Sequence, residues 1–199
     1  MTALTVTATL DTPVIGEVNP LDAVLSWAAW QEAEATGVDL PPISDEHVHD
    51  FDLPLAKWQH YGFWGWCTSA PILTPTHYSS VEIRRRPPTG PMAIYTTARE
   101  HHSGLGPLKA RNTTLQATHY GQIMWHVEAT DEQRLIELLT MCTHIGARHR
   151  NGFGHVTTWE THPGPVDGWK QRPMPTTTGG RMMRVRAPYW HPTERTHCQ

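Results

Sequence analysis

Apolar and polar residues alternate with a period of two in several segments, which is the pattern of half-buried β-strands. Residues 4–10 alternate leucine, valine and alanine with threonine, and residues 122–128 show the same alternation with larger apolar side chains. Aromatic side chains on both parities predict another strand over residues 58–70. A further strand is expected over residues 154–161.

Two other segments place their apolar residues on one helical stripe. The first helix is expected to follow Asn19, a favourable N-cap residue, and to end near Gly37. The second is expected over residues 131–145, after a capping box that begins at Thr130. Gly146 comes next and suits the left-handed conformation of a helix end.

This order of elements predicts an α+β fold of the ferredoxin-like (RRM-like) β-α-β-β-α-β type. The 199 residues suit a single domain. Residues 71–119 form an expected irregular insertion between the second and third strands, with at most a hairpin at residues 78–86 and 93–99. Residues 163–199 are a proline- and glycine-rich C-terminal extension, with one basic strand expected at residues 181–186.

Charge is distributed unevenly along the chain. Residues 1–60 hold ten acids and one lysine, and residues 61–199 hold nine acids against 15 lysines and arginines, so the two parts carry −9 and +6. A segregated basic half indicates a polyanionic partner such as a nucleic acid. Two alternatives stay open: the segregation is accidental, or the arginine run 84–86 is only a solvated loop.

Composition excludes several classes of protein. Cys67, Cys142 and Cys198 are an odd number of cysteines without a CxxC pair, which argues for a cytoplasmic location and against a disulfide framework or zinc site. The chain has neither the roughly 20-residue apolar run of a membrane span nor an N-terminal signal pattern. It also has no nucleotide-binding phosphate loop and no GxSxG elbow. We therefore expect neither a membrane nor a cofactor as partner.

A basic, glycine-rich loop follows the second predicted helix and contains no acid before Glu160. Its glycines would let the backbone approach phosphate oxygens with exposed N–H groups, and its arginines can bind phosphates in bidentate fashion. Exposed aromatic rings would stack on unpaired bases, whereas Trp125 and Trp159 are expected in the core. The candidate RNA-binding residues are Arg148, His149, Arg150, Asn151, Gly152, Phe153, Gly154 and His155, with Arg84, Arg86, Lys109 and Arg111 extending the path.

The loop resembles the aromatic RNP motif of RNA-recognition domains, but it follows the second helix instead of the first. A glycine-rich loop at that place resembles the RAMP superfamily of CRISPR-associated RNA-binding proteins. Four elements sharpen this resemblance to the handle-capping subunit of type IV CRISPR effector complexes, a member of the Cas-five family. They are Gly106–Lys109, Ile145–Val156 followed by Trp159, Arg172–Pro175, and Arg186–His191.

The resemblance implies a non-catalytic role in antiviral defence. Such subunits bind the 5′ repeat-derived handle of the CRISPR RNA (crRNA) and cap one end of a filament of larger RAMP subunits, so they meet target DNA only indirectly. Their long insertion acts as a thumb over the RNA, and residues 71–119 occupy its place. His149 and His155 stand where the family leads us to expect Lys or Arg, which predicts a pH-dependent RNA affinity.

Fourteen histidines leave other interpretations open. The HxH spacing of residues 45–50 occurs in some metal hydrolases, but prolines flank the segment and such sites usually lie in larger barrels, so we expect no metal. The main rival is a metal-independent endonuclease of CRISPR repeat RNA, with His101, His102 or His149 as general acid or base. None of these three has an evident catalytic partner in the sequence. A protein-binding module without RNA would leave the basic loop unexplained.

Overall fold

The computed structural model describes residues 1–42, 44–85 and 111–199, and these form an α+β structure with antiparallel sheets and two α-helices. None of the helices in these ranges is long and apolar enough to cross a membrane. The elements are β1 (Thr2–Leu10), β2 (Val14–Ile15), α1 (Leu21–Ala35), β3 (Lys57–His60), β4 (Phe63–Trp66), β5 (Ile72–Arg85), β6 (Arg111–Ala129), α2 (Glu132–Met141), β7 (Val156–Pro163), β8 (Arg181–Arg184) and β9 (Arg195–Cys198).

The main sheet has the order β7-β1-β6-β5, and the short β2 also pairs with β6. Every neighbouring pair is antiparallel. The chain therefore runs β1-α1-β5-β6-α2-β7, with β1 and β6 at the centre of the sheet. This arrangement is consistent with the predicted ferredoxin-like fold.

The core lies between the two helices and one face of this sheet. Leu4, Val6 and Ala8 of β1 stand opposite Val127, Trp125 and Ile123 of β6, and all six side chains are buried. Trp125 is fully buried, and its indole N–H donates to the carbonyl of Asn19 at 3.1 Å. Trp159 is half-buried and packs against the same core. The prediction that both tryptophans are core residues is therefore confirmed.

Most of the predicted strand over residues 58–70 lies outside the main sheet, and near its end Thr68 forms an isolated bridge with Val127 of β6. Its aromatic residues form the separate hairpin β3–β4, because Tyr61 and Gly62 both adopt positive φ and turn the chain back. Residues 72–85 supply the outer strand instead. Their sequence mixes polar and β-branched residues on both faces, since this strand is largely exposed, and it therefore lacks the alternation of a half-buried strand.

The expectation of an irregular stretch over residues 71–119 is wrong at both of its ends. β5 and β6 pair along their length, from Ile72 opposite Met124 to Arg85 opposite Arg111. The register shifts on both sides of Pro75. Within the described ranges, residues 111–116 of β6 pair only with residues 80–85 of β5. These two segments form a two-stranded ribbon, called the β5–β6 ribbon below. The predicted hairpin segment 93–99 lies outside the residues that the structure describes.

Both helix caps lie one residue later than predicted. Pro20, rather than Asn19, is the N-cap of α1, and Asp131, rather than Thr130, caps α2 by accepting the backbone N–H of Arg134 at 3.0 Å. Helix α2 also ends at Met141, several residues before the expected stop. The following residues leave the helix because they form strand-like hydrogen bonds with β2 and with the start of β7.

The C-terminal extension is attached to the rest of the fold through a buried arginine. The Arg172 guanidinium donates to the carbonyls of Trp66 and Thr68, each at 3.1 Å, and to the Tyr189 hydroxyl at 3.1 Å. That hydroxyl donates in turn to Asp22 of α1 at 2.7 Å. Burial raises the pKa of Asp22, while the Arg172 charge acts in the opposite direction.

A second ionic group lies beside the first. Arg186 binds Asp50 at 3.0 Å and Glu194 at 2.5 Å, and its guanidinium carbon lies 4.0 Å from the Trp64 ring centroid. Arg184 is fully buried and binds Glu194 at 2.8 Å. The predicted basic strand at residues 181–186 is therefore present as β8, but two of its arginines face inward and offer no basic surface.

We expect Asp22→Ala to lower the free energy of unfolding by about 3–5 kcal/mol, because the buried Tyr189 hydroxyl and Ala187 N–H lose their acceptor and Arg172 loses a nearby opposite charge. Glu34→Ala on the exposed side of the same helix should change it by less than about 0.5 kcal/mol. Urea denaturation of both variants measures the difference. Equal losses would show that the buried pair does not hold the extension in place.

Candidate nucleic-acid interface

The loop between α2 and β7 is fixed by backbone hydrogen bonds at both of its ends. The N–H of Ile145 donates to the Gly154 carbonyl at 2.8 Å, and the N–H of Ala147 donates to the Ile15 carbonyl at 2.7 Å. Gly154 donates to the Pro13 carbonyl at 2.8 Å. The loop is thus attached to the turn between β1 and β2, and its side chains project from a rigid base.

Arg148 and Arg150 both lie exposed at the tip of this loop. Arg148 has a φ of 66°, and a single turn of 3-10 helix, His149–Asn151, follows it. No acidic partner of either arginine is found in the described part of the chain. The neighbouring Asp11 is occupied, since its carboxylate lies 2.8 Å from Nδ1 of His155. Two cations are therefore available to an external anion.

Gly152 and Gly154 of the loop are surrounded differently, so glycine is required at each position for a different reason. Gly152 has a φ of +81° and lies in open space, whereas Gly154 has a φ of +70° and packs so tightly that a Cβ would lie 1.8 Å from the Ile145 carbonyl oxygen. Both glycines therefore adopt the left-handed backbone conformation that other residues rarely take. The expectation that their N–H groups are exposed is wrong, because Gly152 donates to the His149 carbonyl and Gly154 donates to Pro13.

Three histidines gather around the loop. The ring of His144 stacks on His149 with centroids 5.6 Å apart, and it lies 5.2 Å from the ring of His155. Burial lowers the pKa of His144, and the two neighbouring imidazoles lower it further while Asp11 opposes them. Within the described ranges, no three His, Cys, Asp or Glu side chains are placed to share a metal ion.

His144, Asp11 and Thr12 are members of this site that the sequence did not reveal. His144 faces His155 because the two residues form an isolated antiparallel bridge across the base of the loop. Thr12 accepts the backbone N–H of His155 at 2.7 Å. Residues 143 positions apart along the chain meet here only through tertiary pairing, which leaves no periodic signal in the sequence.

The remaining candidate residues divide into three groups. Asn151 is exposed beside the arginines, and Phe153 is half-buried in the same loop. Arg84 and Arg111 lie on the β5–β6 ribbon, and Arg84 is already bonded to Glu82 through its Nε at 2.9 Å. Arg86 and Lys109, like the rival candidates His101 and His102, lie outside the residues that the structure describes.

The ribbon residues are well separated from the loop. Ala117 pairs with Ile15, which in turn pairs with Ala147 of the loop. Arg111 lies six residues further along β6, and this corresponds to roughly 20 Å of extended strand. Any ligand that contacts both the loop and Arg111 must therefore be elongated.

The exposed face of the main sheet differs from that of an aromatic RNA-binding sheet. Thr5, Thr7 and Thr9 of β1 stand beside polar residues of β7 and beside Gln122, Met124 and His126 of β6. Gly168 of the C-terminal extension packs directly on His126. In the described strands β1, β7 and residues 122–129 of β6, this face carries no Phe, Tyr or Trp, so base stacking there is not supported.

Residues 106–199 match the family model of the CRISPR type IV associated protein Csf3. The match spans 94 of the 199 residues and includes α2, the whole loop, β7 and the C-terminal extension. It supports a type IV CRISPR-associated subunit, as the sequence resemblance predicted at that level. A search of curated proteins gave no significant match.

The Csf3-matched loop allows a test of its two glycines. Gly154→Ala should lower the free energy of unfolding by about 2–5 kcal/mol, since a methyl group there meets the Ile145 carbonyl at positive φ. Gly152→Ala should cost only about 1–2 kcal/mol for its backbone conformation. Gly152→Asn is the matched control, because asparagine tolerates that conformation better. Chemical denaturation of the three variants would contradict the assignment if Gly152→Ala were the most damaging.

Proposed function

We propose that the protein is a non-catalytic crRNA-binding subunit of a type IV CRISPR ribonucleoprotein complex. It holds the 5′ repeat-derived handle and caps one end of the complex. The observation that carries this proposal is the position of two exposed arginines, Arg148 and Arg150, on a rigid loop inside the Csf3-matched segment, with no acidic partner among the residues that the structure describes. The family match supplies the CRISPR context, and the loop supplies the chemistry.

The loop suits phosphate binding by side chains. Arginine forks form charge-assisted, bidentate bonds to phosphate oxygens, and a loop fixed by internal hydrogen bonds loses little entropy when it binds. Because the glycine N–H groups are used internally, the guanidinium groups provide the positive contacts. The recognition is therefore of the RNA backbone, in agreement with the role of a subunit that holds a handle.

The partners follow from the same proposal. A cap contacts the adjoining RAMP backbone subunit of the complex, has no membrane contact and meets target DNA only indirectly. The fold is assigned to the RAMP type on the order of its elements, and residues 71–119 are assigned as its thumb, with the β5–β6 ribbon as the stem. Such a complex works in the cytoplasm, beside the nucleic acids that it binds.

Replacing Arg148 or Arg150 with Ala should weaken binding of single-stranded RNAs of unrelated sequence by similar factors. Each change should also lower the slope of log affinity against log salt by about 0.7, the value of one phosphate contact on a single strand. Lys170→Ala removes an exposed cation that is already paired with Asp167 and is the matched control. Binding titrations at several salt concentrations measure both quantities. An unchanged slope in both arginine variants would contradict the proposal.

A second candidate function, cleavage of the repeat RNA without a metal, is favoured by the histidine cluster. His155 contacts Asp11 at 2.8 Å, and His144 lies between His155 and His149. An imidazole oriented by a carboxylate next to a second imidazole can act as an acid–base pair. However, Nε2 of His149 is directed at the Gly146 carbonyl at 2.5 Å, which occupies that nitrogen.

Purified protein should leave a repeat RNA from its own genome intact in the presence of a chelator. The same RNA, incubated with His144→Gln and His155→Gln variants, provides the comparison for any trace cleavage. Gel analysis of end-labelled RNA gives the readout. Site-specific cleavage by the wild type that either variant abolishes would replace the non-catalytic proposal with the nuclease.

A further inference from the structure

Helix α1 carries a second stripe of residues that does not face the core. Ala23, Ser26, Trp27, Trp30 and Gln31 follow helical spacing and form one wall of a groove of about 770 Å³. Pro41, Pro42, Phe51 and residues 187–191 also line this groove. The volume falls in the roughly 300–1,000 Å³ range of small-molecule sites.

The groove exposes large aromatic surfaces that the fold does not use. Trp27 is 43% exposed and Trp190 is 61% exposed, although both residues line the groove. Trp30 is half-buried and makes an edge-to-face contact with Phe51 at 6.3 Å. Aromatic rings that line a groove and remain accessible are suitable platforms for planar ligands such as nucleobases.

The charges that line the groove favour an anionic occupant. Arg181 and Arg195 contribute two exposed cations, while Glu17 is the acidic residue among the lining side chains. His47 and His49 also line it. A planar group that carries a phosphate combines the two features that this surface offers.

The groove is continuous with the basic loop. The ring of Trp27 stands edge-on to the ring of His149, with centroids 6.5 Å apart, and His149 lies between Arg148 and Arg150. Trp27 thus brings one end of the groove next to the loop. An RNA strand whose phosphates contact Arg148 and Arg150 passes close to that end of the groove. This contiguity favours a nucleotide of the same RNA over a segment of protein.

We propose that the groove binds one unpaired base of the RNA whose phosphates the loop holds. Trp27 and Trp190 provide the stacking surfaces, and Arg181 and Arg195 contact the phosphate attached to that nucleotide. The inference rests on the proposed RNA-binding function and adds a base site to it. A protein segment in the groove is the competing outcome.

The test uses the full-length protein and single-stranded octamers of uridine, either intact or with an abasic residue at each position in turn. Trp27→Ala should weaken binding of the intact octamer by about fivefold or more. One abasic position should weaken binding to the wild type by a similar factor, and it should not weaken Trp27→Ala any further. Trp190→Ala is the second variant in case Trp27→Ala fails to fold, and Tyr61→Ala, which removes a 60% exposed ring on the β3–β4 turn, is the control.

Photocrosslinking of octamers that contain one 5-iodouridine gives an independent readout. Crosslinks that map to Trp27 or Trp190 by mass spectrometry support the base site. If Arg148→Ala weakens binding but the tryptophan variants and abasic positions do not, the loop function stands and the groove proposal is overturned. The groove proposal is also overturned if Trp27→Ala binds RNA normally but no longer assembles with a neighbouring subunit. If the wild type does not bind the octamers at all, both proposals fail.

Discussion

Buried arginines in the C-terminal extension must be neutralised, and this requirement connects the two oppositely charged parts of the chain. Arg172 is linked to Asp22 through the Tyr189 hydroxyl, and Arg186 binds Asp50 directly, so both contacts join the acidic first third to the basic last third. An isolated charge in a protein interior is so costly that the extension can pack only where these acids lie. The position of residues 163–199 on α1 and on the β3–β4 hairpin depends on this matching.

The same network changes the meaning of the charge asymmetry. Burial raises the pKa of Asp22, so the ionisation of this carboxyl disfavours the folded state as the pH rises, even with Arg172 nearby. The pair therefore contributes more to the position of the extension than to net stability. Several of the arginines that give residues 61–199 their positive net charge are buried and bound to acidic or carbonyl groups inside the protein. The loop arginines matter more for that reason, because they are exposed and have no such partner in residues 1–42, 44–85 and 111–199.

The structural features that the sequence predicted are those with a local cause, such as the periodicity of a strand or helix. Strands β1 and β6 and the buried stripe of α2 show a period that the sequence displays directly, and the positive φ of Gly152 follows from glycine itself. Only part of strand β5 could be predicted, as the hairpin segment 78–86, because most of its side chains are exposed on both faces and show no alternation. The burial of Arg184 and the contact between His144 and His155 depend on residues distant in sequence, so no local sequence pattern predicts them.

The loop geometry also separates affinity from specificity. Arg148 adopts a left-handed conformation that costs a non-glycine residue about 1–2 kcal/mol, and the hydrogen bonds at the base of the loop hold it there. Those bonds use the glycine N–H groups, so the groups that the loop leaves for an anion are guanidinium groups. In the proposed complex, such contacts to phosphates do not distinguish one base from another. Under the proposed function, selection of a particular handle must come from a surface that touches bases. In β1, β7 and residues 122–129 of β6 the exposed face of the sheet carries no Phe, Tyr or Trp, whereas the groove beside His149 is lined by accessible tryptophans.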